Sequence, residues 1–172
     1  KVTPKPEDLA RIKDDNAKIA GVRRLDTIEA GFASGFIWPA TGPLSGGFGS
    51  QRILNGKPKN PHNGVDVAAP FGAPVTAAAD GTVALVHPDM FYTGKTVMID
   101  HGHGLSSVYV HMDKILVQDG QRVSKRTPIG AIGKTGRVTG PHLHWGVSLF
   151  GVHLDPSLLV GPMPSSAPKN GG

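Results

Sequence analysis

Apolar residues recur at helical spacing near the start of the chain, at Leu9, Ile12, Ala17 and Ile19. Pro6 suits a first-turn position, and Glu7 and Asp8 favour the positive end of a helix dipole, so the pattern predicts a helix over residues 6–28. Gly31, Ser34 and Gly35 break that pattern. From Trp38 onward the chain alternates short β-branched runs with turn signals. The runs are Thr82 to Val86, Thr96 to Ile99, Ser107 to Val110 and Ile115 to Val117; the turns are Thr41-Gly42-Pro43, Asn55-Gly56, Asp80-Gly81 and Asp119-Gly120. Such spacing predicts a mainly β protein: one compact domain of short antiparallel strands, in a sheet or sandwich, behind an N-terminal helix. Residues 1–35 form the helical extension, 36–160 the β body, and 161–172 a Pro/Ser/Gly-rich tail expected to be disordered. Segments 79–83 and 118–123 share a D-G-x-x-V-like texture that is too short to count as a repeat.

Composition narrows the chemistry. The 172 residues suffice for one domain with a real core, and 24 Gly and 15 Pro agree with many turns. No apolar run approaches the roughly 20 residues that cross a bilayer, and no signal-peptide pattern opens the chain. Lys1 is not a methionine, so the chain reads as a processed or trimmed product and export stays open. With no cysteine there are neither disulfides nor thiolate metal sites; a metal must sit on carboxylates and the 8 histidines. The formal charge of +5 favours an acidic partner. Nucleic acid fits poorly, because the basic residues are scattered and only 6% of residues are aromatic. A carboxylate-bearing partner of another kind suits the charge equally well.

Three segments carry the candidate chemistry. In Pro141-His142-Leu143-His144-Trp145-Gly146-Val147, strand alternation places both imidazoles on one face about 7 Å apart, while Leu143, Trp145 and Val147 face a core. One ring can bind a metal while the other reaches a substrate atom beside it. In His62-Asn63-Gly64-Val65-Asp66 the two donors would lie roughly 13 Å apart if fully extended, too far to share an ion with bonds of about 2 Å. The chain must bend between them, and Asn63-Gly64 is the pair able to bend it through positive φ. In Ser107-Val108-Tyr109-Val110-His111, alternation sets Ser107, Tyr109 and His111 on one face, so Tyr109 stands beside His111.

His-x-Gly-Val-Asp, Tyr-x-His and Thr-Gly-Pro-His-Leu-His, in that order, resemble the lysostaphin-type (LytM-domain) zinc metallopeptidases, enzymes of the peptidoglycan cell wall. Supporting text at 46–52, 68–75, 79–83 and 99–105 is similar too, so the resemblance spans about residues 38–156; Arg126-Thr127-Pro128 departs where Gly-rich text is usual. The resemblance implies a LytM-like fold and one Zn2+ ion on His62, Asp66 and His144. It implies His111 and His142 as catalytic histidines assisting a zinc-activated water. Tyr109, or either histidine when protonated, is a candidate oxyanion or substrate contact. No H-E-x-x-H helix supplies a glutamate base, so histidine must do that work. The implied function is a periplasmic or extracellular endopeptidase acting on peptidoglycan peptide stems. A D-Ala–diaminopimelate (DD) cross-link is expected rather than pentaglycine. The alternative is a non-cleaving wall-binding or amidase-activating module of the same fold; a lipoyl-type carrier would need a modifiable hairpin lysine that no motif provides.

The remaining candidates read as structure. His101 and His103 fall in a Gly-rich hairpin turn; His87 and His153 read as surface or loop histidines. Trp145 and Phe48 read as packing groups. Arg52, Lys57, Lys59 and Arg137 flank the motifs, either as the lining of a groove for substrate carboxylates or as solvated charge. The N-terminal helix lies outside the family core. It can pack on the body, join an upstream domain or pair with a regulatory protein.

Overall fold

The computed structural model describes residues 3–50 and 62–164, together with the backbone of two short strands at 53–54 and 57–58. Helix α1 spans Pro6–Arg23, with Pro6 in its first turn and the Asp8 carboxylate accepting from Lys5 N. It ends five residues before the expected 28. Beyond it, Thr27 O accepts from His103 N and the Thr27 hydroxyl donates to Asp100. Backbone and side-chain groups that would continue a helix are spent on the sheet instead. The expected tail is described only to residue 164, where Gly161 O accepts from Trp38 Nε1; residues 165–172 and the Asn55-Gly56 turn lie outside the described residues.

The strands are β1 (Leu44–Gly46), β2 (Ile53–Leu54), β3 (Lys57–Pro58), β4 (Val65–Val67), β5 (Pro74–Thr76) and β6 (Gly81–Met90). They continue as β7 (Gly94–Gly102), β8 (Leu105–Ile115), β9 (Arg122–Val123), β10 (Pro128–Ile132), β11 (Leu143–Leu149) and β12 (Val152–Leu154). The main sheet runs β1-β4-β11-β8-β7-β6-β9, with β10 joining β8 and β5, and β12 extending from β11. Every pairing is antiparallel. Of the run expected as a separate strand at 115–117, Ile115 ends β8 and Leu116 and Val117 lie beyond it outside any strand. The two D-G-x-x-V-like segments lie side by side, since β6 pairs with β9.

One face of the sheet carries the main core: Val65, Val67, Val97, Ile99, Tyr109, Leu143, Trp145 and Val147, with the Trp145 ring edge-on to Trp38 at 5.7 Å. The opposite face is divided. Over β6, β7 and β8 it is apolar, and α1 covers it by packing Ile19 and Val22 on Met98, Val108 and Val110. Asp15 of α1 is buried and accepts from Phe91 N at the β6–β7 turn, fixing the helix there. Toward β4 the same face becomes polar, because Asp66, His144 and Val110 are cross-strand neighbours in one row. The site and the helix therefore share one side of the sheet.

His101 corrects an expectation. It lies on β7, fully buried, and not in the turn; His103, with φ of 54°, occupies the turn. His101 Nδ1 donates to Asp80 O at 2.7 Å, and Nε2 is 2.8 Å from Ser107 Oγ. Burial pushes its pKa below the ordinary imidazole value, against the Asp80 carbonyl and the Asp100 and Asp80 charges. A histidine whose folded pKa lies below its unfolded value near 6.5 supports the fold above that pH. As pH falls, the unfolded chain binds a proton that the folded chain refuses, and stability is lost. Melting temperatures measured between about pH 7 and pH 5 should fall with acid, and His101→Gln should flatten the fall. Equal slopes in both proteins would place the sensitivity elsewhere.

Candidate metal centre

His62 enters just before β4, and its backbone is clamped: His62 N donates to Ser50 O, and His62 O accepts from Gly49 N at 2.7 Å. Asp66 sits mid-strand on β4, opposite His144 on β11. Gly64 between them does not use positive φ, contrary to the expectation. Its need is proximity, since a Cβ there would meet Trp145 O at 2.5 Å and the His144 ring at 2.9 Å. Gly46 plays the same part on the other flank, where a Cβ would fall 2.7 Å from Asp66 Oδ2.

The three donors converge. Asp66 Oδ1 is 3.3 Å from His62 Nε2 and 3.0 Å from His144 Nδ1, and the three ligand atoms lie within 4.8 Å of one another. Neighbouring ligands of a tetrahedral zinc with bonds of 2.0–2.1 Å are separated by about 3.3 Å. The donor set therefore fits zinc, and its oxygen and imidazole chemistry with a free fourth position suits a catalytic ion more than a structural one. His62 Nδ1 donates to Gly47 O at 3.1 Å, which fixes the tautomer that leaves Nε2 as the ligand. Burial raises the Asp66 carboxyl pKa, but the His144 hydrogen bond and the histidine charges outweigh it, and the group lies below the usual carboxylate value. The carboxylate is thus ionised for an ion to bind.

Two further histidines reach the same place. His142 Nε2 is 3.8 Å from Asp66 Oδ1, and the His111 and His142 ring centroids are 5.0 Å apart. His142 Nδ1 donates to Gly140 O and His111 Nδ1 to Thr135 O, so each presents Nε2 as its free nitrogen. Burial drives the His111 pKa down to about 4, with the Thr135 carbonyl opposing. His111 is neutral at physiological pH.

The sequence expectation for Tyr109 fails, and the reason is local. Strict alternation would put Tyr109 and His111 on one face, but β8 changes register against β7 between Tyr109 and Met112, and His111 adopts φ of 64°. Tyr109 stays in the core, fully buried, with its hydroxyl taking Ala78 N at 3.0 Å and lying 2.9 Å from Ser107 Oγ. Burial pushes its pKa up to about 12, with those bonds offsetting part of the rise. The register change turns His111 out to the metal side. Tyr109 reaches neither metal nor substrate.

Sequence reading missed what holds His111 there. The β6–β7 turn and the loop after β10 lock against each other: His111 N donates to Thr93 O, Lys95 N to Thr135 Oγ1, and Thr135 Oγ1 to Met112 O. Gly94 and Gly136, both at positive φ, permit the contact, for a Cβ on either would meet the other segment at 2.3–2.5 Å. The only signal in the text was Gly-x-Thr-Gly at 133–136, which reads as an ordinary turn. His153 is partly exposed at β12, and burial with the Arg23 and His144 charges lowers its pKa; His87 lies 3.8 Å from Asp15. Neither belongs to the site.

The profile of peptidase family M23 matches residues 60–156, more than half of the chain. Peptidoglycan DD-endopeptidase ShyA of Vibrio cholerae is 46% identical over 111 residues, 63% of this chain and 25% of its own. A peptidase M23 structure from Pseudomonas aeruginosa superposes with a TM-score of 0.77 at 37% identity, covering 92% of this chain and 64% of that one. A zinc-containing peptidase from Vibrio cholerae superposes at 0.66 with 35% identity, covering 76% and 41%. The chain spans about a quarter of the length of the curated relatives it matches.

Proposed function

Because the chain belongs to peptidase family M23, we propose that it is a zinc-dependent endopeptidase that hydrolyses peptide cross-links of bacterial peptidoglycan, a DD-endopeptidase of the periplasm or cell exterior. One observation carries the reading: His62, Asp66 and His144 converge as a metal triad while His111 and His142 aim free Nε2 atoms at the same place. The relatives named as DD-endopeptidases support the choice of bond. The positive formal charge suits carboxylate-bearing stems.

Zinc held by the triad supplies a Lewis acid for the scissile carbonyl and lowers the pKa of water to about 7. The protein's own residues do the rest. His62 is oriented by Gly47 O, and His144 by its place on β11 opposite Asp66. His111, kept neutral by burial and with Nδ1–H committed to Thr135 O, offers Nε2 to accept a proton from the attacking water. His142, with Nε2 near the Asp66 carboxylate, stands beside the position of the developing oxyanion and the leaving amine. No glutamate takes part.

The test is mass spectrometry of defined cross-linked muropeptides after incubation with zinc-loaded protein. Dimers should give monomers by addition of one water at the D-Ala–diaminopimelate bond, and chelator should stop the reaction. Protein that keeps zinc yet leaves dimers intact would point to a non-cleaving module. A smaller effect is expected at Thr135, whose side chain ties the loop that holds His111. Thr135→Val should lower kcat by roughly ten- to a hundredfold through misplacement of the base, at unchanged zinc content measured by metal analysis. Unchanged kcat would remove Thr135 from that role.

A further inference from the structure

The loop that holds His111 carries a cation that the chemistry above does not use. Arg137 follows two residues after Thr135, whose carbonyl holds His111, and Arg137 N donates to Tyr92 O at 2.9 Å. Gly136, at φ of 82°, turns the chain tightly between them. The Arg137 guanidinium lies 4.4 Å from the centroid of the Phe91 ring, and Phe91 is buried. A planar cation on an aromatic face is attracted and loses rotational freedom, while its N–H edge stays open to a planar anion.

Phe91 has a second guanidinium near it, Arg11 at 5.6 Å, and the two differ in one respect. Arg11 is paired with Asp89 at 3.2 Å. Arg137 is exposed and has no carboxylate within 4 Å among the described residues. Tyr92, 46% exposed, stands at the same tip. Arg137 is thus a held cation two residues along the chain from the group that holds the base, with no carboxylate within 4 Å among the described residues.

We infer that Arg137 is a specificity-determining residue: it binds a free carboxylate of the cross-linked stem peptide by a forked pair of hydrogen bonds and so sets the stem's position against His111. This inference rests on the proposed peptidoglycan activity. It is a binding role, and the reacting atoms are left to the histidines and the metal.

The experiment uses zinc-loaded wild-type protein and Arg137→Gln with two substrates, a cross-linked muropeptide dimer with free stem carboxylates and the same dimer amidated. On the free-acid dimer Arg137→Gln should lower kcat/KM by roughly 10- to 100-fold, mostly through KM. The wild-type protein should lose a similar factor when the dimer is amidated, a readout independent of any variant. On the amidated dimer the two proteins should agree within about twofold. Equal losses for both substrates would mean that the substitution only disturbs the loop, and no loss on either would mean a solvated surface charge; each overturns the inference. Wild-type protein that cleaves neither dimer overturns the proposed function itself, and the role of Arg137 with it.

Discussion

His111→Ala should yield a folded protein that binds one equivalent of zinc and cleaves cross-linked muropeptides at least 10³-fold more slowly than wild type. That factor corresponds to about 4 kcal/mol in the barrier, within the range for loss of a positioned general base. Zinc retention is expected because His111 is no part of the triad; its Nδ1 is bound to Thr135 O and its ring faces His142. The cost to folding should be on the order of 1–3 kcal/mol, since Ala keeps the Cβ that is strained at φ of 64° and loses the Nδ1 bond to Thr135 O. Metal analysis and steady-state cleavage on one preparation check both halves. Loss of zinc together with activity would make His111 a ligand and refute the role given to it.

Asp66→Ala should behave in the opposite order, with metal lost first and activity as a consequence. Asp66 Oδ1 lies 3.3 Å from His62 Nε2 and 3.0 Å from His144 Nδ1, so its removal takes away the anionic ligand at the centre of the triad. An outer partner of a metal ligand is already worth about 10–100-fold in affinity. Removal of the ligand itself should therefore weaken zinc binding by more than a hundredfold. Competition with a chromophoric chelator reads this directly. A variant that holds zinc as tightly as wild type would show that the ion uses other donors.

The contrast between these two substitutions separates what the sequence disclosed from what it concealed. His62, Asp66 and His144 were legible because each stands in a short motif whose spacing makes sense on a strand or at its entry. Alternation of Leu143, Trp145 and Val147 against His144 states which side of β11 faces the core. The mainly antiparallel β body was legible for the same reason: its turns and β-branched runs carry period-two signals. His111 was legible as a residue but not as a position. Period-two reading placed it with Tyr109, and only the register change of β8 with positive φ separates them. No residue type announces such a change here, because it arises from how β8 pairs with β7 and β10 and not from its own alternation.

Helix α1 shows a second boundary of that kind. Its start was written in Pro6, Glu7 and Asp8, whereas its end at Arg23 depends on Thr27 bonding to Asp100 and His103. Where α1 packs was also beyond periodicity, since its weak apolar stripe is matched by Met98 and Val108, paired across strands, and by Val110 in another row of the sheet. Gly64, Gly94 and Gly136 are the same lesson in miniature. They look like turn residues, but their demand is close approach between segments.

One ion is expected where the imidazoles of His62 and His144 meet the Asp66 carboxylate. A crystal of the zinc-loaded protein measured at the zinc absorption edge tests it most directly. The anomalous map should show one strong peak about 2.0–2.2 Å from His62 Nε2, Asp66 Oδ1 and His144 Nδ1, with His111 and His142 outside the coordination shell. A peak at any other histidines, or none in protein that still cleaves its substrate, would contradict the account.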